Sequence, residues 1–380
     1  MGIENGLPIR GGIASLRLPI AADAGRAVVR PRANRRLRQA RSTVLGAVLA
    51  LILLNLGLAA AVNVGPGLRD PLFDLPAGRF GERIASTDSH PIKIAFLGSS
   101  RTGGGIRPAM VEEAVAADTG RPCVAYNLHA PGNGPVGEQV HWRRLLDRGL
   151  RPDVVVIELL PGGFASENGR PEDSKRLHGD RLTWDETQLV QRYGFPPDVE
   201  SEWRQANANP WFGFRFQLLG LVRPKWLPSG VARHERRPAA DLGWQPPFFV
   251  THSPEHFGQA VEVNRDLLFK QMQLARFDGL PAAALRDLVA SCREHGTVPA
   301  AFVTPESSPL RSWYPADVDR AVRAFVEELR AGGVVAADGR DWLPDEAYSD
   351  GHHVVRSWAD EYTRRVTRAV VLPAVSKIRN

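Results

Sequence analysis

The sequence predicts an α/β protein built on one five-stranded parallel sheet, with a mid-chain insertion and a single N-terminal transmembrane helix. Three observations carry this reading. Five short runs rich in branched apolar residues alternate with helix-like segments: "IKIAFL" (92–97), "CVAYNL" (123–128), "DVVVIEL" (153–159), "VPAAFVT" (298–304) and "VVAAD" (334–338). Strands separated by helices pair in parallel through right-handed crossovers, with helices on both faces. The alternation stops between residues 163 and 257, where Trp, Pro, Asn and Arg collect without a clean period. Finally, no charged residue occurs from Ser42 to Leu68.

That uncharged run, "STVLGAVLALILLNLGLAAAVNVGPGL", is long enough to cross a hydrocarbon layer of roughly 30 Å as one helix. A buried core helix of this length would show a polar stripe, whereas only Asn55 and Asn63 interrupt it. A signal peptide has a shorter apolar core nearer the start of the chain. Immediately before it, "RAVVRPRANRRLRQAR" holds seven arginines from Arg26 to Arg41 and no acid. The positive-inside rule then places the N-terminus in the cytoplasm and the main domain outside it, in the periplasm of a cell with an inner membrane. The expected organisation is a basic cytoplasmic tail (1–41), a membrane anchor (42–65), a linker (66–90), a first half of the core (91–162), an insertion or cap (163–257) and a second half of the core (258–380).

The formal charge of +6 resides in the arginine block, and the rest of the chain is close to neutral. This distribution argues against a nucleic-acid surface. Two cysteines, Cys123 and Cys292, are too few for a disulfide framework and read as buried free thiols. No Cys/His spacing suggests a zinc site, and no metal or cofactor is expected.

Helix signals fill the gaps between strands. "RPAMVEEAVAADTG" has proline in its first turn and Gly120 closing it. "GEQVHWRRLLDRGL" follows the second strand. "AVEVNRDLLFKQMQLARF", "PAAALRDLVASCREHG" and "ADVDRAVRAFVEELRAGG" flank the fourth, and a last helix is expected from about Val355 to Val371.

In open parallel sheets, sites form beyond the carboxyl ends of the strands. There the sequence offers Gly98-Ser99-Ser100, then "HAPGNGP", "LPGGF", "TPESSP" and "GRDWLPDEAYSDGHH". The opening "GSSRTGGG" is no phosphate loop, because it has neither the lysine of G-x-x-x-x-G-K-[ST] nor the spacing of G-x-G-x-x-G. A nucleophilic serine needs a base, an acid orienting that base, and oxyanion donors. "SDGHH" supplies Asp350, His352 and His353, with Asp350 three residues before His353. The N–H groups of Ser100 and Gly132, and the amide of Asn133, are candidate donors. Taken singly, Ser99 or Ser100 also reads as a helix N-cap, "PGNG" as a turn and "DGHH" as a surface loop.

These blocks resemble the SGNH (GDSL-type) hydrolase superfamily, in a divergent membrane-anchored branch similar to the esterase and acyltransferase domains of cell-surface polysaccharide O-acetylation. The resemblance covers residues 90–162 and 296–372 and implies a flavodoxin-like core. Gly98-Ser99-Ser100 matches the Gly-Asp-Ser block, making Ser100 the nucleophile. Gly132 matches the oxyanion glycine, and Asp350 with His353 matches Asp-x-x-His. Two departures stand out: Ser99 replaces the family's aspartate, and the Gly-x-Asn-Asp block has no match where the third strand runs into "LLPGGF".

The expected function is a membrane-anchored extracytoplasmic serine esterase or O-acyltransferase acting on acyl esters of cell-envelope carbohydrate. Its expected partners are the membrane, an acylated carbohydrate or other ester, and a membrane protein passing it acyl groups. His352 is the competing base, and Arg101 a substrate contact or a structural arginine. Two alternatives remain: a thioesterase-like role, and a catalytically weak SGNH-fold protein that binds glycan or an assembly partner, with Trp203, Trp211 and Trp226 as sugar platforms.

Overall fold

The computed structural model describes residues 33–65, 67–87, 90–228 and 241–378. Most of the expected cytoplasmic tail, residues 1–32, lies outside them. The chain divides into two units, residues 1–52 and 53–380. A helix spans Ala33–Val64, and its stretch Arg36–Val64 is long and apolar enough to cross a membrane.

The second unit carries a five-stranded, all-parallel sheet of β1 (Ile92–Leu97), β2 (Cys123–Asn127), β3 (Val154–Leu159), β4 (Val298–Val303) and β5 (Val335–Asp338), in the order β2-β1-β3-β4-β5. This doubly wound order places its crevice where the chain leaves β1 in one direction and β3 in the other. The strands are largely apolar because both faces are covered. On one face Ile92, Ile94, Phe96, Val154, Val156 and Phe302 meet Val111 and Val115 of helix Pro108–Thr119 and Tyr362, Val366 and Val370 near the C-terminus. On the other, Ala95, Leu97, Val155 and Ile157 meet Trp142 and Leu145 of helix Pro135–Asp147 and Leu285 and Leu288 of helix Leu280–Glu294. Cys123 and Cys292 are free thiols in these layers, and burial pushes both thiols up.

Two expectations need correction. Most of the expected linker is a helix, Pro71–Ala85, burying Leu72, Phe73, Ala77 and Phe80. Its proline opens the first turn, where no N–H is needed, and Asp70 before it forms a buried ion pair with Arg144 at 2.7 Å. The last helix is also not continuous: it runs Ala359–Val366, widens to a π turn at Thr367–Val371, and resumes at Leu372–Ser376. Pro373 lacks an N–H and crowds the carbonyl one turn back, a known cause of such widening.

The insertion is helical in part, with segments Trp184–Arg192, Asp198–Ala208, Pro210–Gly213 and Arg215–Val222. A capping box, Thr183 with Glu186, starts the first of them. Leu182, Leu189, Val190, Phe195 and Val199 pack on Val136 and Val140 of helix Pro135–Asp147. The cap is thereby fixed to the helix that leads away from the second strand-end loop. Helix Pro254–Leu274 then returns the chain to the core.

Candidate active site

Three strand-end loops meet at one point. After β1 the chain turns through Gly98 and Ser99 into the short helix Ser100–Gly105. Ser99 is its N-cap, accepting the Arg101 N–H on Oγ at 3.1 Å. A carboxylate from β3, Glu158, sits underneath and is buried. It accepts the Ser99 N–H and Ser99 Oγ–H, each at 2.7 Å, and the Thr102 hydroxyl at 2.5 Å. A Cβ at Gly98 would lie 2.5 Å from Glu158 Oε2, so only glycine fits above this acid.

The turn places Ser100 Oγ 2.8 Å from His353 Nε2. His353 Nδ1 lies 2.8 Å from Asp350 Oδ2, and the His353 N–H donates to Asp350 Oδ1 at 2.8 Å. The loop that carries both is closed by a bridge between Tyr348 and Val354 and turns at Gly351, whose φ is +92°. Ser307 N–H holds the Gly351 carbonyl at 3.0 Å, and Asn264 Nδ2 holds that of Asp350 at 2.9 Å. The loop is therefore tied to the end of β4 and to helix Pro254–Leu274. Burial alone would raise the Asp350 carboxyl, but the His352 and His353 rings and the His353 hydrogen bonds hold it well below the ordinary carboxylate range. An ionised Asp350 fixes the imidazole tautomer with Nδ1 protonated and Nε2 facing the serine.

His352, the competing base, is turned inward. Its ring lies against His353, tilted by 45° with centroids 4.0 Å apart, and burial, helped by the His353 charge, drives its pKa well down. Asp350, His352 and His353 offer ligand atoms within 4.8 Å of one another. In the geometry seen, however, His353 directs one nitrogen at Asp350 and the other at Ser100.

The oxyanion candidates occupy the rim of the same cleft, which has a volume of about 940 Å³ and is lined by Ser100, Gly132, Asn133, Gly162, Gly163 and His353 among others. The Ser100 N–H belongs to the first turn of its helix, where N–H groups have no partner within the helix. Gly132 has φ +65° and Arg176 packed 3.2 Å from where a Cβ would lie, so the loop needs glycine there. The β2 loop is latched to the β1 loop by Ala130 N–H on the Gly98 carbonyl at 2.9 Å and Asn127 Nδ2 on the Thr102 carbonyl at 2.9 Å. Asn133 is drawn aside: its Nδ2 lies 3.5 Å from His141 Nδ1, and its Oδ1 lies against the Gly137 backbone. Where the sequence lacks the third block, Pro161–Phe164 forms a 3₁₀ turn whose Gly162 and Gly163 reach the cleft.

Arg101 lines the cleft, and its guanidinium is held by an internal partner. Its Nη1 donates to Glu306 Oε1 at 2.7 Å and to Thr304 Oγ1 at 3.2 Å, and the pair is buried. Tyr314 donates to the same Glu306 oxygen at 2.9 Å. Trp203, Trp211 and Trp226 do not line the cleft; among the described residues no tryptophan does.

Glu158, Glu306, Asn264 and Asp173 were not anticipated. Asp173, at the start of the insertion, accepts the Val136 N–H at 2.8 Å and the Gly137 N–H at 3.3 Å, capping the helix after the oxyanion loop. One sequence signal existed for Glu158: it is the sole charged residue in the apolar run of β3, next to the strand's end.

No family model matches the chain, and no curated protein matches it in sequence. Among solved structures, the protein TesA aligns over 75% of this chain and 99% of its own, with 12% identity and a TM-score of 0.35. A lipase/acylhydrolase from Enterococcus faecalis aligns over 73% and 96%, with 11% identity and a TM-score of 0.34. The chemistry available at this site follows from its own distances: a serine hydroxyl, an imidazole aimed at it and a carboxylate behind the imidazole, at the mouth of a cleft roomy enough for an organic substrate.

Proposed function

We propose that the protein is a membrane-anchored, extracytoplasmic serine esterase or O-acyltransferase of SGNH type, acting on acyl esters of cell-envelope carbohydrate. The observation that carries the reading is the relay Ser100 Oγ–His353 Nε2, 2.8 Å, and His353 Nδ1–Asp350 Oδ2, 2.8 Å. Residues that lie 250 apart in sequence form a hydrogen-bonded chain at the crevice of a doubly wound sheet. A helix cap would account for Ser99, which has that role, but not for Ser100.

In this reading His353 Nε2 takes the Ser100 proton as Oγ attacks the ester carbonyl, giving a tetrahedral oxyanion. The N–H groups of Ser100 and Gly132 receive its negative charge. The intermediate collapses, the leaving alcohol takes the proton from His353, and the acyl group stays on Ser100. Water or a sugar hydroxyl, deprotonated by His353, then attacks the acyl-enzyme and restores the serine. Asp350 keeps the imidazole oriented and supports its positive charge. With the Gly-x-Asn-Asp block absent and Asn133 turned to His141, the oxyanion has one donor fewer than the family pattern. Loss of one such donor typically costs about 100- to 1000-fold in turnover, so slow acyl transfer is expected, whether water or a sugar hydroxyl is the acceptor.

The test uses the full chain in detergent, with and without Ser100→Ala, treated with a fluorophosphonate probe and with p-nitrophenyl acetate. Labelling and acetate release that vanish in Ser100→Ala support the proposal. Equal signals in both proteins, or none in either, overturn it.

A further inference from the structure

Beside the last turns of the anchor helix, the insertion carries a surface that no part of the esterase reading uses. Asn55, the polar break in the apolar run, donates to the Ala208 carbonyl at 2.8 Å, and Asn63 donates to Asn207 Oδ1 at 2.9 Å. Val62 is buried against Ala206 and Phe214. Asn55 and Asn63 are eight positions apart, so the contact extends over roughly 12 Å of helix. That is more than the headgroup zone, which accounts for about 5–7 Å on each side of a bilayer.

Directly after this contact, "PWFGFRFQLLGLVRPKWLP" (210–228) contains three bases and no acid. Phe214 and Leu227 are buried, but other large apolar side chains face outward: Trp211 is 49% exposed, Phe212 63%, Val222 75% and Trp226 71%. Arg215 lies over Phe212 and Phe216, with 4.0 and 4.4 Å to the ring centroids. Aromatic rings interleaved with cations are the composition of segments that lie in a membrane interface. A contiguous apolar exposure of this kind marks a docking surface.

We infer that residues 210–226 dock into the outer interface of the lipid bilayer beside the anchor, and so hold the cleft at the membrane surface. The inference rests on the anchored reading above. Its occupant is the bilayer because the neighbouring helix surface is itself built for lipid, with Leu53, Leu54 and Leu56 exposed on it. The hydrogen bond from Asn55 to the Ala208 carbonyl supplies the partner that a side-chain amide needs at hydrocarbon depth. The segment also reaches the site: Phe216, between Arg215 and the core-facing Gln217, lines the cleft together with Leu267 and Leu268. An ester carried on a bilayer amphiphile would enter along this edge.

The test exploits the absence of tryptophan from the anchor: of the nine, only Trp211 and Trp226 lie in the segment. Full-length protein is reconstituted in vesicles of phosphatidylcholine and an anionic lipid, with and without acyl chains brominated near the headgroup. Quenching of tryptophan emission by the brominated lipid is expected, and most of it should disappear in Trp211→Phe/Trp226→Phe, which should keep wild-type fluorophosphonate labelling. Quenching that is absent, or equal in the two proteins, overturns the inference. So does emission from these two tryptophans that answers to added cell-envelope glycan and not to bromine. Release of the whole chain by alkaline carbonate would instead sink the anchored reading, and loss of labelling the esterase reading.

Discussion

Ser99 and Glu158 hold each other twice, through the Ser99 N–H and the Ser99 hydroxyl, both at 2.7 Å to the two carboxylate oxygens. This pair sets the residue before Ser100 against the end of the neighbouring strand. Ser100 therefore emerges at a fixed angle, on a turn whose own Gly98 admits no side chain. Glu158 is a positioning residue and touches no substrate.

Glu158→Ala is expected to leave the Ser99 N–H and hydroxyl and the Thr102 hydroxyl buried without an acceptor. Each such group costs about 1–3 kcal/mol, so a fall in thermal midpoint of several degrees should accompany a fall in kcat. KM for p-nitrophenyl acetate should stay near wild type, because the cleft walls are untouched. A variant with unchanged kcat at its own stable temperature would show that the acid only supports the fold.

The two adjacent histidines make opposite predictions. His353→Ala removes the base and should lower kcat by on the order of 10³ or more. His352→Ala removes a largely buried ring that lies against His353 and should act mainly on stability, with kcat falling by no more than about tenfold. Treatment with a chelator should leave both rates where they were. Equal losses from the two substitutions, together with abolition by chelator, would instead mark the Asp350–His352–His353 cluster as a metal centre.

Much of this site is legible in sequence, for a definite reason. The five strands are buried on both faces, so each reads as an apolar run flanked by polar loops; Ser100 and Gly132 stand within five residues of such runs, and Asp350 and His353 on the longer loop after the fifth. Partners that approach through space are not legible. Nothing near Arg101 announces Glu306, and nothing near Gly134 announces Asp173. The helix Pro71–Ala85 escaped because Pro76 and two glycines obscure an apolar period that only the contact of Phe73 and Phe80 with the sheet makes visible. The insertion's first two helices, Trp184–Arg192 and Asp198–Ala208, pack through Leu189, Val190 and Val199 on Val136 and Val140, a partner far away in sequence that nothing in the insertion announces.

Arg101 and Glu306 form a buried pair with Thr304 and Tyr314 around it. Breaking one side leaves an uncompensated buried charge, and typical losses are about 3–5 kcal/mol. Arg101→Met or Glu306→Met alone should each lower the chemical-denaturation midpoint strongly, whereas the double substitution should recover most of the loss. The ratio of KM values for anionic and neutral esters should not move in the double variant. A selective rise in KM for the anionic ester would restore Arg101 to the substrate-contact role that its place beside Ser100 suggests.

Asp173 gives the pH dependence. Burial pushes its carboxyl up to about 7, against the backbone N–H groups of Val136, Gly137 and Gly134 that favour the anion. In the unfolded chain the same group ionises near its ordinary value of 3.8. Between about pH 4 and pH 7 the folded protein therefore keeps a proton that the unfolded chain has lost. Stability falls with rising pH across that window and levels off above it. At 1.36 kcal/mol per unit the change is on the order of 3–4 kcal/mol. Asp173→Asn retains an acceptor for the Val136 N–H but cannot titrate, so the difference in unfolding free energy between wild type and variant should shift by that amount from pH 4 to pH 7. The wild type should be relatively weaker at the higher pH. Parallel curves would mean that the three N–H groups outweigh burial and that Asp173 is already ionised at pH 4. The same substitution reports on function, because Asp173 anchors the helix that follows the oxyanion loop. A turnover that declines in Asp173→Asn at pH 7, with fluorophosphonate labelling slowed to match, would tie the position of the Gly132 N–H to this one carboxyl.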